Sequence, residues 1–198
     1  MPEPWKVLLF YGSYREPRYG IRLARFLLAR LASRGLAVEF IDAREIGLPI
    51  LSRMHKEYPA GTAPAAMEAL SNKIRAADGF VFVCGEYNWG VQPGLKNLTD
   101  HFFEEWFWRP AAVASYSLQQ AGGARAADIW HGTLNEMGMI VVSSSITIGA
   151  ITDALDEEGR PTGASGAYLE RVTPRFIEDL VWWIEATAAQ RKRATPPY

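Results

Sequence analysis

The sequence predicts an α/β fold in which a doubly wound, five-stranded parallel sheet carries helices on both faces. Five short apolar runs recur along the 198 residues, and each is followed by an amphipathic helix or a crossover. The run Gly79 to Cys84 (GFVFVC) is apolar without interruption, which is typical of a strand buried on both faces of a parallel sheet. Because crossovers between parallel strands are right-handed, few topologies remain for a chain of this length.

The first strand is predicted over Trp5 to Tyr11, an apolar run closed by a Gly-Ser pair. An amphipathic helix from about Tyr19 to Arg34 follows, because leucines recur every four residues on one face while arginines occupy the other. A glycine ends this helix, and Ala37 to Ile41 is the second strand. After a loop that contains proline and glycine, Ala65 to Ala77 forms the next helix.

The middle of the chain continues this alternation. The third strand, Gly79 to Cys84, leads to a helix from about Leu95 to Trp108 that is rich in Trp and Phe. Ala111 to Ser115 is the fourth strand, and a Gly-Gly pair then opens a helix that ends near Met137. Met139 to Ser143 (MIVVS) supplies the fifth strand.

The last quarter of the chain is predicted to hold a long loop, one helix and a tail. The loop spans Thr147 to Ala167, and Arg191 to Tyr198 carries no apolar period. We expect residues 1–190 to form a single domain and residues 191–198 to form a flexible tail. The flavodoxin-like strand order fits these elements best. The last helix is predicted to bury Leu169, Val172, Phe176, Leu180 and Ile184.

Composition disfavours several classes of function. Lys and Arg number 21 and Asp and Glu 22, so no basic surplus is present to bind nucleic acid. The single cysteine, Cys84, makes neither an intrachain disulfide nor a multi-cysteine metal site and favours a reducing compartment. The longest uncharged stretch, between Glu136 and Asp153, is interrupted by serines and is too short to cross a membrane. With no leader at the N-terminus, we expect a cytoplasmic protein that does not contact a membrane.

Three loops are expected to form the site. Ligands of such a sheet bind beyond the carboxyl ends of the strands, so loops 12–20, 85–94 and 115–123 should converge. The first loop combines small residues, a hydroxyl and guanidiniums just before a helix, and a phosphate fits there. The alternative is a solvated loop whose arginines face water, and this loop alone leaves both interpretations open.

Several catalytic motifs do not occur in the sequence. It has no G-x-x-x-x-G-K-[ST], no G-x-G-x-x-G, no G-x-S-x-G and no H-E-x-x-H. The histidines, His55, His101 and His131, have no paired spacing with carboxylates. We therefore expect neither a metal site nor an acid–base dyad.

The three loop motifs together resemble the NAD(P)H-dependent FMN reductase family. GSxR follows the first strand, EYNWG (residues 86–90) follows the third, and LKN (residues 95–97) opens the next helix with Asp100 behind it. The resemblance runs from about Val7 through the last helix. It implies a flavodoxin-like fold with bound FMN as cofactor and NAD(P)H as electron donor.

The resemblance also implies roles for individual residues. In that family the first loop holds the FMN phosphate, the second lies along the isoalloxazine and the ribityl chain, and a segment after the fourth strand flanks the ring. Members commonly have Ser, an aromatic residue and Asn where this chain has Arg18, Tyr19 and Gly20, so a guanidinium would replace a phosphate hydroxyl. The implied cofactor-binding residues are Ser13, Arg15, Arg18, Tyr19, Gly20, Glu86, Tyr87, Asn88, Trp89, Ser115, Gly122 and Gly123. For Glu86 and Asn88, hydrogen bonding within their own turn is an equally open interpretation.

The implied reaction needs no catalytic side chain, because the flavin carries the electron chemistry. It is a ping-pong hydride transfer from NAD(P)H through FMN to a quinone, free flavin, azo compound or similar small-molecule acceptor. Three alternatives stay open: a reductase that uses FMN as a diffusible substrate, a non-catalytic electron carrier of the flavodoxin type, and an interaction module without flavin.

The aromatic helix carries a prediction about assembly. Five aromatic residues cannot all lie on one side of a helix, so part of their surface is expected to need a partner. Phe102, Phe103, Trp106 and Phe107 form one stripe, which is expected to serve the chain's own core. Trp108 falls outside that stripe and is the residue expected at an interface. The family resemblance implies a homodimer or homotetramer built on this helix.

Overall fold

A computed structural model describes residues 3–198 and places their six strands in one parallel sheet. The strands β1 to β6 are Lys6–Tyr11, Ala37–Asp42, Gly79–Gly85, Pro110–Tyr116, Ile140–Val141 and Ile146–Ile148. Their hydrogen-bonded order is β2-β1-β3-β4-β5, with β6 also paired to β4. This is the flavodoxin-like order with its switch point between β1 and β3, so the predicted fold class is confirmed.

Helices cover both faces of the sheet because side chains alternate along each strand. Helices α1 to α7 are Ile21–Ser33, Ala43–Ile46, Ala65–Ala76, Pro93–Asp100, Ala124–Glu136, Ile151–Ala154 and Gly163–Arg193, and short 3-10 turns lie at His55–Glu57 and Glu104–Trp106. Val7 and Leu9 of β1 pack against α1 and α7, whereas Leu8 and Phe10 pack against α3, α4 and α5. Two buried cores result, one on each face.

The predicted fifth strand is wrong in its extent, because the chain leaves β4 after β5 and returns as β6. Between them, the Ser144 backbone N–H donates to the Asp179 carboxylate at 2.8 Å and the Ser143 hydroxyl donates to it at 3.3 Å. Asp179 of α7 thus satisfies backbone that would otherwise pair with β4. The predicted long loop consequently contains β6 and α6.

The predicted helix from Leu95 to Trp108 is also wrong, because α4 ends at Asp100. After α4, the buried carboxylate of Glu105 accepts hydrogen bonds from the Phe103 backbone N–H at 3.0 Å and from the Ser71 hydroxyl at 2.8 Å. The Trp106 indole N–H donates to the Phe102 carbonyl at 3.2 Å. This arrangement turns the chain so that Phe102 and Trp106 enter the core, 1% and 0% exposed. Their burial agrees with the expectation that this stripe of aromatic residues serves the chain's own core.

The C-terminal helix α7 is longer at both ends than the sequence indicates, and it buries Leu169, Phe176, Leu180 and Ile184 as predicted. It runs past Arg191, the first residue of the predicted tail. The Trp108 indole N–H donates to the Tyr198 carbonyl at 3.0 Å, so the last residue lies against the segment after α4. Across residues 3–198, no helix is both long enough and apolar enough to cross a membrane.

Candidate functional site

Loops 12–20, 85–94 and 115–123 meet at the carboxyl ends of β1, β3 and β4, as the fold predicts, and border a cleft of about 340 Å³. Pockets for small ligands typically start at roughly 300 Å³. We call this the loop cleft. It is lined by Ser13, Arg15, Pro17, Tyr19, Gly85, Glu86, Tyr87, Tyr116, Ser117, Leu118, Gln119, Ala121 and Arg125.

The first loop presents a hydroxyl and a free cation to the loop cleft. Ser13 is buried, and its Oγ lies 2.9 Å from the Tyr87 Oη, which ties the first loop to the second. Arg15 is exposed, and within residues 3–198 its side chain makes no hydrogen bond or ion pair. These two groups can therefore receive an anion.

Arg18 and Gly20 lie outside the lining of the loop cleft. The guanidinium of Arg18 points to Asp42 at the end of β2, with N–O distances of 2.6 and 2.8 Å. A Cβ added at Gly20 would lie 2.1 Å from the Tyr116 ring, so the missing side chain leaves room for that ring. Burial raises the pKa of the Tyr116 hydroxyl well above its usual value, which keeps a neutral aromatic ring at the floor of the cleft.

The second loop makes a tight turn. Tyr87 and Gly90 exchange backbone hydrogen bonds of 2.8 and 3.0 Å, and the two residues between them, Asn88 and Trp89, have positive φ angles of 50° and 72°. A two-residue hairpin turn of type I′ requires such angles at both of its central residues. They are unusual for a tryptophan. The turn leaves Trp89 63% exposed on the rim, outside the lining of the cleft.

Glu86 and Arg125 form the charged wall of the loop cleft. Glu86 Oε1 lies 3.0 Å from an Nη atom of Arg125, and the Arg125 guanidinium lies 5.0 Å from the centre of the Trp89 ring. Glu86 Oε2 is buried and has no hydrogen-bond partner among residues 3–198. A buried carboxylate oxygen without a donor is costly, so this atom favours a ligand that donates a hydrogen bond.

The third loop contributes different residues from those the sequence indicates. Ser115 is buried, with its Oγ 3.3 Å from Thr147 Oγ1, and Gly122 and Gly123 open α5 with positive φ angles of 65° and 79°. None of the three lines the loop cleft. From this part of the chain the cleft is lined instead by Tyr116, Ser117, Leu118, Gln119, Ala121 and Arg125. Ser117 and Gln119 lie in the loop that the sequence indicates, whereas sequence reasoning did not single out Tyr116 at the end of β4 or Arg125 in α5.

The histidines and the cysteine lie apart from the loop cleft. His55, which has no paired spacing with a carboxylate in the sequence, has its Nδ1 2.7 Å from Glu105 Oε1 and its Nε2 3.3 Å from Glu68 Oε2. Sequence spacing does not indicate this cluster, because tertiary packing brings together three separate segments. Cys84 is buried in β3, and burial raises the pKa of its thiol, in keeping with its predicted place in the core.

Comparison with known proteins gives consistent results. Residues 5–153 match the family described as NADPH-dependent FMN reductase. The chain is 29% identical over 163 residues to the NAD(P)H-dependent FMN reductase LOT6 of Saccharomyces cerevisiae, covering 74% of this chain and 83% of that one. It is 24% identical over 195 residues to a quinone reductase of Pseudomonas putida, covering 96% and 100%.

The solved structures agree on the fold. FerB of Paracoccus denitrificans, a flavoenzyme NAD(P)H:(acceptor) oxidoreductase, superposes with a TM-score of 0.73 at 23% identity, covering 92% of this chain and 98% of its own.

Proposed function

Because this chain belongs to the NADPH-dependent FMN reductase family, we propose that its loop cleft holds FMN and passes reducing equivalents from NAD(P)H to a quinone or a similar small molecule. The protein is an FMN-dependent NAD(P)H oxidoreductase. The proposal concerns which residues bind the cofactor and which acceptor is reduced.

The observation that carries this proposal is the match between the cleft and the chemistry of a flavin. An isoalloxazine ring has apolar faces and a polar edge that includes a hydrogen-bond donor, and FMN adds hydroxyls and a phosphate. Tyr19, Tyr87 and Tyr116 supply aromatic walls. The buried, unpartnered Glu86 Oε2 needs a donor, and the free Arg15 guanidinium needs an anion.

These contacts divide the cofactor-binding residues by role. Ser13 and Arg15 would hold the phosphate, and Glu86 and Tyr87 would hold the ribityl chain or the ring. When bound, FMN supplies the capacity to accept and return a hydride. The protein's own residues bind and orient it. Tyr19 lines the cleft near the end of the first loop, residues 12–20, which we call the phosphate loop. The remaining predicted residues would shape the loops around the cleft, namely Gly20, Asn88, Ser115, Gly122 and Gly123.

A quinone is the acceptor that we propose first. The relative from Pseudomonas putida is named a quinone reductase, and two large apolar side chains are exposed around the loop cleft. Trp89 is 63% and Leu118 49% exposed there. A flat, uncharged ring can stack on such a rim.

We also propose that the protein is a cytoplasmic homodimer or homotetramer. The free thiol of Cys84 supports a cytoplasmic location. Assembly is supported by a second cleft of about 600 Å³ that shares Arg15 and Tyr87 with the loop cleft. We call it the side cleft. Ile50, on its edge, is 84% exposed, which is unusual for a large apolar side chain.

The experiment that tests the function is a flavin assay on the purified protein. We expect it to bind FMN stoichiometrically, with visible absorbance that NAD(P)H bleaches without oxygen and that a quinone then restores. If NAD(P)H bleached the protein and adding a quinone did not restore the absorbance, a quinone would be rejected as the acceptor, and the FMN site would stand. A protein that binds no FMN in a titration would reject the proposed site.

A further inference from the structure

We propose that Arg18 is a positioning residue that shapes the phosphate-binding loop through a buried ion pair with Asp42, in place of the direct phosphate contact that the sequence predicts. This inference rests on the proposed FMN site. It assigns different roles to the two arginines of one loop, Arg15 and Arg18.

All three nitrogen atoms of the Arg18 guanidinium donate hydrogen bonds. Its Nε donates to the Ser13 carbonyl at 2.8 Å, while its two Nη atoms donate to the two Asp42 carboxylate oxygens at 2.8 and 2.6 Å. The guanidinium also lies 4.9 Å from the centre of the Tyr11 ring. The Arg18 and Asp42 side chains are only 14% and 6% exposed. A bidentate, largely desolvated pair of this kind holds its partners in one orientation.

Asp42 is itself fixed, so the pair is anchored to the sheet. It ends β2, and its Oδ1 also accepts the Arg44 backbone N–H at 3.0 Å as the N-cap of α2. A second tie runs parallel to the first, because the Tyr14 hydroxyl donates to the Ala43 carbonyl at 2.7 Å. The phosphate loop is therefore attached to the end of the edge strand β2 on both sides of Arg15.

This attachment determines what the loop offers to an anion. The Ser13 carbonyl, which would repel a phosphate, is bound to Arg18, while the Ser13 hydroxyl remains on the cleft. Asp42 compensates the charge of Arg18, so Arg15 is the uncompensated cation of this loop at the cleft. A lysine could not replace Arg18, because its ammonium has no planar fork to bridge a carbonyl and both oxygens of a carboxylate.

The test compares binding of FMN and riboflavin, which lacks the phosphate, by titrating each into the purified full-length protein. The variants are Arg18→Ala, Arg18→Lys, Asp42→Asn and the double variant Arg18→Ala/Asp42→Asn. Arg34→Ala is the matched control, because it removes an arginine–carboxylate pair with Glu178 at the other end of α1. Thermal unfolding of each variant reports its stability.

We expect Arg18→Ala, Arg18→Lys and Asp42→Asn each to weaken FMN binding by about ten-fold, with riboflavin nearly unaffected. The double variant should bind FMN no more weakly than Arg18→Ala alone, because both changes remove the same interaction. Arg34→Ala should change neither affinity.

Other outcomes would overturn the inference. If Arg18 contacted the phosphate directly, Asp42→Asn would leave FMN binding unchanged or tighter, and Arg18→Lys would retain most of the affinity. Equal losses for FMN and riboflavin, together with a lower melting temperature, would assign the pair to general stability. Failure of the unmodified protein to bind FMN would instead reject the proposed function, and it would be seen before any variant was made.

Discussion

Arg15 and Arg18 lie three positions apart in one loop, yet they experience opposite environments. Arg15 is exposed on the loop cleft, whereas the Arg18 guanidinium is largely buried against Asp42. The energetic consequence differs accordingly. A free, solvated guanidinium gains a partner when an anion binds, whereas a paired one would first have to break its existing hydrogen bonds.

This contrast predicts that Arg15→Ala weakens FMN binding and leaves the fold intact. Loss of charge-assisted hydrogen bonds to the phosphate should cost about 1.5 to 3 kcal/mol, or roughly ten- to a hundred-fold in the dissociation constant. Riboflavin should bind equally well to both proteins. The measurement is a titration with each flavin, and unfolding in urea should give the same midpoint for both proteins, because Arg15 makes no side-chain bond within residues 3–198.

The salt dependence of FMN binding supplies a control for the same variant. An exposed contact between Arg15 and phosphate is screened by ions, so the unmodified protein should bind FMN more weakly as salt rises. Arg15→Ala should show a flatter dependence. Equal losses of FMN and riboflavin would show that Arg15 supports the loop without contacting phosphate.

At the scale of the element, a buried carboxylate helps to hold the turn that follows α4. Glu105 is 1% exposed and accepts from the Phe103 backbone N–H, the Ser71 hydroxyl and, at 3.1 Å, the Arg75 guanidinium. Burial alone would raise the pKa of this carboxyl, but these donors outweigh burial and hold the pKa below its usual 4.5. The folded state therefore favours the ionised form.

Glu105→Gln is consequently expected to destabilise the protein at neutral pH by about 1 to 3 kcal/mol, because it removes the charge that Arg75 and the backbone N–H groups stabilise. A lowered pKa gives stability that is complete above the unfolded-state pKa and is lost as pH falls from that value through the folded-state pKa. The difference between variant and unmodified protein should therefore shrink below about pH 4.5. Urea unfolding of both proteins at pH 7 and at pH 4 measures this difference in the free energy of unfolding. The control is Glu104→Gln, which changes an exposed neighbouring residue.

The helices and strands differ in how well the sequence predicts their ends. Strands β1 to β4 and helices α1, α3 and α5 follow from local apolar periodicity, and their observed bounds lie close to the predicted ones. Glu105 helps to hold the turn after α4, and Asp179 satisfies backbone in the break between β5 and β6. Each of these acts through partners from other elements, so neither break has a signal in its own segment.

The candidate site divides in the same way. Its position follows from the strand order, and the motifs at Ser13, Arg15, Glu86 and Tyr87 lie on the loop cleft. The partner of Arg18 could not be foreseen, because Asp42 is contributed by β2, and no periodicity reports contacts across neighbouring strands.

At the scale of the whole molecule, the apolar surface left uncovered lies beside the site. Phe102 and Trp106, expected in the chain's own core, are buried, and Trp108, expected at an interface, is half-buried with its ring 4.7 Å from that of Tyr198. By contrast, Ile50 and Tyr14 on the side cleft are 84% and 48% exposed. Since the side cleft and the loop cleft share Arg15 and Tyr87, a second copy bound at the side cleft would also cover one wall of the proposed cofactor site. Assembly and cofactor retention would then be linked, because a partner that closes over bound FMN favours the FMN-bound form.

This arrangement predicts a mass in solution of at least twice 22.1 kDa and predicts that Ile50→Glu lowers it. A charge placed at the centre of an apolar contact must be desolvated, so the variant should move toward the monomer and retain FMN less well. Trp182→Glu is the matched control: Trp182 is 62% exposed on α7 and lines neither cleft, so its replacement should leave the mass unchanged. Light scattering at micromolar concentration measures the mass of all three proteins.

A monomeric mass for the unmodified protein with FMN bound would show that the side cleft has no role in assembly. A lower mass for Trp182→Glu alone would indicate that the interface lies on α7.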